Sequence, residues 1–125
     1  MATKVYTEDH DWVAYADKIA TVGITQFAAN ALGDVTHVDL PEIGDELDQG
    51  DACAVIDSVK TASDLISPVT GVVRDINEDL VSDPSLLGTD PEGTGWVFKV
   101  EMSNKAELEA LMNEKEYKEF CSKEA

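Results

Sequence analysis

Short apolar stretches follow one another through most of the chain and are separated by Gly, Pro and acidic residues. Alternation with period two indicates a half-buried strand, and a short continuous apolar run is typical of a fully buried one. The predicted strands are DWVAYA (11–16), IATVGI (19–24), DVTHVDL (34–40), DACAVID (51–57), LISPV (65–69), GVVRDIN (71–77) and GWVFKVEM (95–102). Strands this short, punctuated by Gly and Pro, predict a mainly β fold of the sandwich or small-barrel type.

Two short helices are predicted to interrupt the strands. In TQFAANALG, Thr25 is a candidate N-cap, and Gly33 is placed to end the helix. In DPSLLG, Asp83 is a candidate cap, and Pro84 suits the first helical position. We expect both helices to lie at the edges of the β core.

The C-terminal segment 104–122 has helical spacing of its apolar residues. Asn104 with Glu107, and Asn113 with Glu116, have the spacing of a capping residue and its partner three positions later. The sequence therefore predicts two amphipathic C-terminal helices that pack on the β core.

The composition limits the possible partners. The 125 residues include 26 Asp and Glu but only 9 Lys and Arg, which gives a formal net charge of −17. Binding to phosphate backbones or anionic membranes requires clustered cations, so neither nucleic acid nor membrane is expected as a partner. The acidic excess either serves solubility or presents a surface to basic patches on other proteins. The length predicts one domain, residues 1–125, with one core.

Metal binding and independent catalysis are not expected. Cys53 and Cys121 form no CxxC pair, and free thiols suit a reducing compartment. His10 and His37 have no cysteine cluster beside them, so we interpret both as packing or surface residues and expect no metal site. No apolar run reaches the roughly 20 residues of a membrane span, and the N-terminal residues do not form a secretory signal.

One lysine stands out by its isolation. Between Ile19 and Val73 the chain has nine acidic residues, and Lys60 is its only Lys or Arg. Two predicted strands flank it closely, which predicts a hairpin at about residues 53–66 with Lys60 near its tip. Such a position suits a covalent attachment point, because the backbone is fixed while the side chain is free. It equally suits an ordinary exposed lysine that discourages edge-to-edge aggregation, and the hairpin alone leaves both readings open.

The residues around this lysine resemble the lipoyl-attachment motif E-S-V-K-x-x-S-D of the glycine cleavage system H-protein family. The matching residues are Ser58, Val59, Lys60, Ser63 and Asp64, and Asp57 replaces the usual glutamate. The resemblance continues in YTEDHDWV, where Asp11 also replaces a glutamate, in TVGITQFAANALGDVTHVDLPEIGD and in DPEGTGWVFKV. It extends over nearly the whole chain.

This resemblance implies a barrel-sandwich hybrid related to lipoyl and biotinyl domains, and a carrier that is not itself an enzyme. It implies lipoate attached to Lys60 as N6-lipoyllysine. The implied partners are a pyridoxal-phosphate glycine decarboxylase, a tetrahydrofolate-dependent aminomethyltransferase, dihydrolipoyl dehydrogenase and a lipoate ligase or lipoyltransferase. The carrier would take the aminomethyl group from the first to the second and electrons to the third. The implied compartment is the bacterial cytoplasm or, for a mature eukaryotic chain, the mitochondrial matrix.

The chemistry of the cargo suggests a role for two acids. A free amine beside a thioether can expel the thiolate, whereas a protonated amine cannot. A carboxylate beside the docked arm would raise the pKa of that amine, and a cleft without water would slow hydrolysis. We expect Asp11, with Asp64 as a second candidate, to supply this carboxylate; the alternative is that both are solvated acids or turn caps.

Two other functions fit the same hairpin. One is a lipoyl-relay protein that donates lipoate to other enzymes. The other is a biotinyl or other acyl-carrier module, although no methionine flanks Lys60 as in the M-K-M of biotinyl domains.

Overall fold

The computed structural model describes residues 3–8 and 10–124. The strands are β1 (Thr3–Tyr6), β2 (Asp11–Ala16), β3 (Ile19–Ile24), β4 (Val35–Asp39), β5 (Glu46–Leu47), β6 (Ala52–Ser58), β7 (Ala62–Ile66), β8 (Gly71–Ile76) and β9 (Phe98–Met102). The helices are α1 (Gln26–Leu32), α2 (Asp79–Ser82), α3 (Leu86–Thr89) and α4 (Glu114–Glu124), with a 3-10 helix over Lys105–Ala110.

The described strands form two antiparallel sheets. One has six strands in the order β1-β2-β3-β9-β8-β5, and the other has three in the order β4-β6-β7. Buried side chains from both sheets, including Val22 and Phe98 of the first and Ile56 and Leu65 of the second, belong to one apolar core. The predicted mainly β, barrel-sandwich type of fold is confirmed. Within the described ranges, no helix has the length and apolar character that a membrane span requires.

Most predicted strands form near their predicted bounds. β2 and β3 begin and end where the alternation indicates, and the turn between them places Asp17 at a positive φ of 54°. The prediction at LISPV was wrong in its bounds, because β7 covers Ala62–Ile66 and ends before Pro68. Proline lacks the N–H that a sheet ladder needs, so the strand stops before it.

The helix predictions were right for α1 and wrong in detail for α3. The Thr25 side chain accepts a hydrogen bond from the Ala28 N–H, and α1 ends at Gly33, whose φ is 77°. In α3, Ser85 and not Asp83 is the N-cap residue, and the helix begins at Leu86. The Asp83 carboxylate accepts a hydrogen bond from the Ser85 hydroxyl, so it is engaged in the turn that precedes the helix.

The C-terminal segment contains one of the two predicted α-helices. Asn113 and Glu116 form the expected reciprocal cap of α4: the Asn113 side chain accepts from the Glu116 N–H, and the Glu116 carboxylate accepts from the Asn113 N–H. The earlier segment is a 3-10 helix instead. There the Glu107 carboxylate accepts hydrogen bonds from the backbone N–H and the hydroxyl of Thr70, both at 2.7 Å. In a capping box this carboxylate would bind the backbone at the start of the helix, but here it binds a residue distant in sequence.

We expect the substitution Gly23→Ala to destabilise the fold by about 1–3 kcal/mol, the usual cost of overpacking a core. A Cβ atom on Gly23 would lie 2.8 Å from two atoms of the buried Trp12 indole. That indole also donates a hydrogen bond of 2.9 Å to the Pro91 carbonyl, so it cannot move away freely. The free energy of unfolding in urea measures the effect.

Gly88→Ala is the matched control, because a Cβ atom there would meet nothing within 4 Å. In helix α3 this change should be neutral or slightly stabilising. Equal stability of the two variants would contradict the role given to the Trp12 contact.

Candidate functional site

The predicted attachment lysine lies at the tip of the hairpin formed by β6 and β7. These strands pair in antiparallel register as far as Asp57 and Ala62, and the connection between them is Val59, Lys60 and Thr61. Val59 and Lys60 are exposed, and 66% of Val59 is accessible to solvent. The tip therefore presents the Lys60 amine to solvent from a backbone that two paired strands fix.

Ser58 shapes the hairpin tip. Its hydroxyl oxygen accepts hydrogen bonds from the backbone N–H groups of Lys60 at 3.3 Å and Thr61 at 3.2 Å. Its own N–H donates to the Thr61 carbonyl at 2.8 Å. A serine that bonds to the backbone two and three residues ahead closes a tight turn, which explains a serine at this position of the motif.

The Lys60 side chain lies across the C-terminal end of α1. A Cβ atom on Gly33 would lie 3.4 Å from Lys60 Cε and 3.7 Å from Nζ, so the end of the lysine side chain passes directly beside this glycine. The Val59 N–H also donates to the Asp34 carbonyl at 3.0 Å, which ties the hairpin to the residue after the helix. Because the C-terminal end of a helix carries partial negative charge, it attracts the lysine as long as the amine is unmodified.

A cleft of about 400 Å³ opens beside this lysine, between α1 and the hairpin. Thr61, which follows the lysine directly, lines its edge, and α1 contributes Phe27, Ala28 and Ala31. A larger groove of about 690 Å³ lies elsewhere, around Ile43 and Val81. The smaller cleft is the candidate site, because it adjoins Lys60 and contains residues of the motif.

The cleft brings together some of the predicted site residues. Asp11, Ser63 and Asp64 all line it, although Asp11 is more than 50 positions away from the other two in sequence. Asp11 is only 4% exposed, whereas Asp64 is exposed at the mouth. The four remaining motif residues, Asp57, Ser58, Val59 and Lys60, lie outside the lining, at the strand end and the hairpin tip.

The carboxylate of Asp11 affects the pKa of a neighbouring side chain, Cys53. Burial and, after it, the negative charge of Asp11 raise the pKa of the Cys53 thiol to about 12. Cys53 donates a hydrogen bond to the Leu65 carbonyl at 3.2 Å, so it is a protonated, partly buried core residue. Asp11 thus contributes negative charge inside a mostly apolar cleft, where charge interactions are stronger than in water.

Two further cleft residues were missed as site residues. The His10 and Phe27 rings stack with centroids 4.4 Å apart, and both line the cleft. The sequence led us to interpret His10 as a packing or surface residue, and it assigned Phe27 no role in a site. His10 does pack against its neighbours, but it does so in the cleft wall; its position directly before Asp11 was the available signal. His37 is exposed, and its Nε2 lies 2.8 Å from Asp39 Oδ1, within hydrogen-bond distance.

A barrel-sandwich hybrid with a lysine at a hairpin tip beside an apolar cleft has the architecture of a carrier domain. Comparison with known proteins identifies the kind of carrier. The family described as glycine cleavage H-protein matches residues 4–124, and the chain belongs to this family. Its members are the lipoyl carriers of the glycine cleavage system and are not enzymes themselves.

Individual relatives are similar to this chain over almost their full length. A glycine cleavage system H protein from Thermotoga maritima is 50% identical over 99% of this chain and 100% of its own. One from Alkaliphilus oremlandii is also 50% identical, over 100% of this chain and 98% of its own. The crystal structure of a glycine cleavage system H protein from Mycobacterium marinum has a TM-score of 0.85 at 35% identity and covers 97% of this chain and 95% of that one.

Proposed function

We propose that Lys60 carries lipoate through an amide bond and that the resulting arm docks in the cleft between α1 and the β6–β7 hairpin. The observation that supports this most is the position of Lys60, exposed at a fixed hairpin tip with its side chain leading past Gly33 beside the cleft. The whole chain, residues 1–125, is then one carrier domain. The hairpin at 53–66 bears the arm, and the C-terminal segment 104–122 packs on the β core.

The residues present fit a lipoyl group. The cleft volume of about 400 Å³ lies within the range of small-molecule sites. Aliphatic side chains such as Ile24, Leu32 and Leu65 would hold the acyl chain, and acylation removes the charge that keeps the lysine at the helix end. When bound, lipoate would supply a disulfide that takes up the one-carbon unit on one sulfur atom and is reduced to a thiol at the other.

Asp11 and Asp64 would keep the amine of that cargo protonated. Asp11 lies inside the cleft and Asp64 at its mouth, so an amine in the cleft has one carboxylate buried near it and one exposed. An opposite charge within about 4–6 Å typically shifts a pKa by 1–3 units toward the charged form. The amine would stay positive and could not expel the thiolate, while the apolar wall limits access of water.

The other motif residues would serve the enzyme that attaches lipoate. Ser58 fixes the tip through its backbone hydrogen bonds, and Val59 is an exposed apolar side chain beside the lysine. Asp57 and Ser63 lie on the two strands just behind the tip. A lipoate ligase or lipoyltransferase would recognise both the backbone of the hairpin tip and these side chains around the lysine.

The proposed partners follow from membership of the glycine cleavage system. Glycine decarboxylase with pyridoxal phosphate loads the arm, aminomethyltransferase with tetrahydrofolate unloads it, and dihydrolipoyl dehydrogenase reoxidises it. A surface with a formal net charge of −17 suits encounters with basic patches on these enzymes. The compartment follows the source, namely the cytoplasm in a bacterium and the mitochondrial matrix in a eukaryote.

We expect the lipoylated protein to support exchange of bicarbonate into glycine by glycine decarboxylase, and the unmodified protein to support none above background. The reason is that the exchange requires a covalent acceptor for the one-carbon unit. The measurement is incorporation of labelled bicarbonate, with the state of lipoylation established by intact mass.

The carrier alone, without the decarboxylase, is the control. Steady glycine turnover by the carrier alone would contradict the proposal that this protein is a carrier without catalytic activity of its own. Lipoylated protein that transfers its lipoyl group to other acceptors but supports no exchange would identify a lipoyl relay instead.

A further inference from the structure

The C-terminal helix α4 brings one buried hydroxyl into contact with a residue that lines the arm cleft. The hydroxyl of Tyr117 lies 2.6 Å from Thr25 Oγ1 and 2.7 Å from His10 Nδ1. Both distances are those of good hydrogen bonds. Tyr117 is 7% exposed and Thr25 is 1% exposed, so these contacts are shielded from solvent. Residues more than 90 positions apart in sequence meet at this oxygen.

One partner of this hydroxyl lines the cleft, and the other caps the helix that forms one of the cleft walls. Thr25 is the N-cap of α1, and its Oγ1 accepts a hydrogen bond from the Ala28 N–H at 3.3 Å. His10 lines the cleft itself and stacks on Phe27 of α1. A single oxygen on α4 therefore links the start of the helix that forms one wall to the imidazole that completes the other.

The backbone at His10 is in an unusual conformation. Its φ is 65°, in the left-handed region that residues other than Gly adopt uncommonly. The His10 N–H donates to the Thr7 carbonyl at 3.2 Å, and its own carbonyl accepts from the Thr25 N–H at 2.9 Å. Such a conformation persists only where surrounding contacts hold it, and Asp11 follows directly. The orientation of His10 and the placement of Asp11 are thus set by one turn.

The Tyr117 hydroxyl stays neutral under ordinary conditions. Burial raises its pKa above the usual value for tyrosine, and the neighbouring Cys121 side chain raises it further. The hydroxyl can therefore serve both as donor and as acceptor at the centre of this contact. The Tyr117 ring also stacks on Tyr6, with centroids 4.6 Å apart, so its position does not depend on the hydroxyl alone.

We propose that Tyr117 is a positioning residue of the arm cleft: its hydroxyl holds the His10 ring against Phe27 and so closes the cleft wall beside Asp11 to water. This inference rests on the proposed docking of the arm in that cleft. It gives α4 a function beyond covering the core, because the helix supplies the group that orients a cleft residue. Tyr117 itself lies outside the cleft lining and acts through His10.

The first test uses the unmodified protein and compares Tyr117→Phe with Tyr6→Phe. Both changes remove one phenolic oxygen from the same stacked pair, but the Tyr6 hydroxyl interacts with Lys4 and not with the cleft wall. We expect the 15N resonance of His10 Nδ1 to shift in Tyr117→Phe and to stay unchanged in Tyr6→Phe. Identical imidazole spectra in both variants would overturn the proposal, whatever the state of lipoylation.

The second test measures loss of formaldehyde from the aminomethyl-loaded carrier. We expect Tyr117→Phe to raise the rate about three- to tenfold over Tyr6→Phe, the range that corresponds to one lost hydrogen bond. A shifted His10 resonance with an unchanged rate would overturn the role in water exclusion. A carrier that supports no bicarbonate exchange at all would instead count against the proposed function, so the two failures are distinguishable.

A second variant removes the hydrogen bond between His10 and Tyr117 by changing His10 instead of Tyr117. Asn tolerates the left-handed backbone better than most residues, so His10→Asn preserves the turn while removing the imidazole. Because this variant also removes the ring that closes the wall, we expect its rate of formaldehyde loss to be at least that of Tyr117→Phe, and the double variant to be no faster than His10→Asn alone. Effects that multiply in the double variant would show two independent roles and overturn the positioning role. This variant also keeps the proposal testable if Tyr117→Phe folds poorly.

Discussion

Lys60→Arg is expected to abolish lipoylation completely: its intact mass should show no lipoyl increment after incubation with a lipoylating enzyme and lipoate. Arginine keeps the positive charge, but its guanidinium stays protonated and is no nucleophile for amide formation. The side chain at the tip also keeps a comparable length, so the fold and the acidic surface are preserved. Bicarbonate exchange with glycine decarboxylase should fall to background in the same variant.

Lys18→Arg is the matched control, since Lys18 is also an exposed lysine in a turn between two paired strands, β2 and β3. That variant should gain the full lipoyl mass and support normal exchange. A lipoyl increment that persists in Lys60→Arg would exclude Lys60 as the attachment site. Loss of the increment in both variants would point to a general defect in recognition of the hairpin.

Asp11→Asn is expected to release formaldehyde from the aminomethyl-loaded carrier about tenfold faster, or more. Each unit by which the pKa of the amine falls increases the free amine about tenfold, which corresponds to about 1.4 kcal/mol. Asp11 should have the larger effect of the two cleft acids, because it is 4% exposed whereas Asp64 is exposed to screening by solvent and salt. The measurement is the first-order rate of formaldehyde release at constant pH.

Two variants separate this effect from a change in fold. Asp11→Glu keeps the negative charge and should retain most of the protection, whereas Asp75→Asn makes the same chemical change on an exposed residue of β8 and should have no effect. Thermal unfolding of all three variants shows whether the cleft remains intact. A release rate in Asp11→Asn equal to that of the unsubstituted protein would refute the role of Asp11.

Local patterns predicted the elements that depend on local signals. Period-two alternation placed β2 and β3, and the caps at Thr25 and Asn113 placed the starts of α1 and α4. Elements without such signals were missed: β1 has a polar first half, β5 has only two residues, and α2 has a single turn. These elements exist because they pair with or pack on partners distant in sequence, and no local propensity indicates that.

Less of the site than of the fold could be predicted from local sequence patterns. Isolation in charge and a hairpin pattern drew attention to Lys60, but its role in attachment and the choice of Asp11 came from the family resemblance. The sequence did not indicate that His10, Phe27 and Thr61 share a cleft with Asp11 and Asp64. Their proximity results from the tertiary arrangement of the turn before β2, α1 and the hairpin around the cleft, which brings together side chains from three separate segments.

The sequence by itself determined a mainly β domain with one lysine at a hairpin tip, because alternation, turn residues and charge isolation are properties of neighbouring residues. Only the tertiary structure decided that Asp11 is buried in a cleft beside that lysine and that Tyr117 contacts His10 from 107 positions away. Which side chains are buried together depends on how sheets and helices pack. That packing depends on contacts among residues throughout the core, and a short segment of the sequence does not specify them.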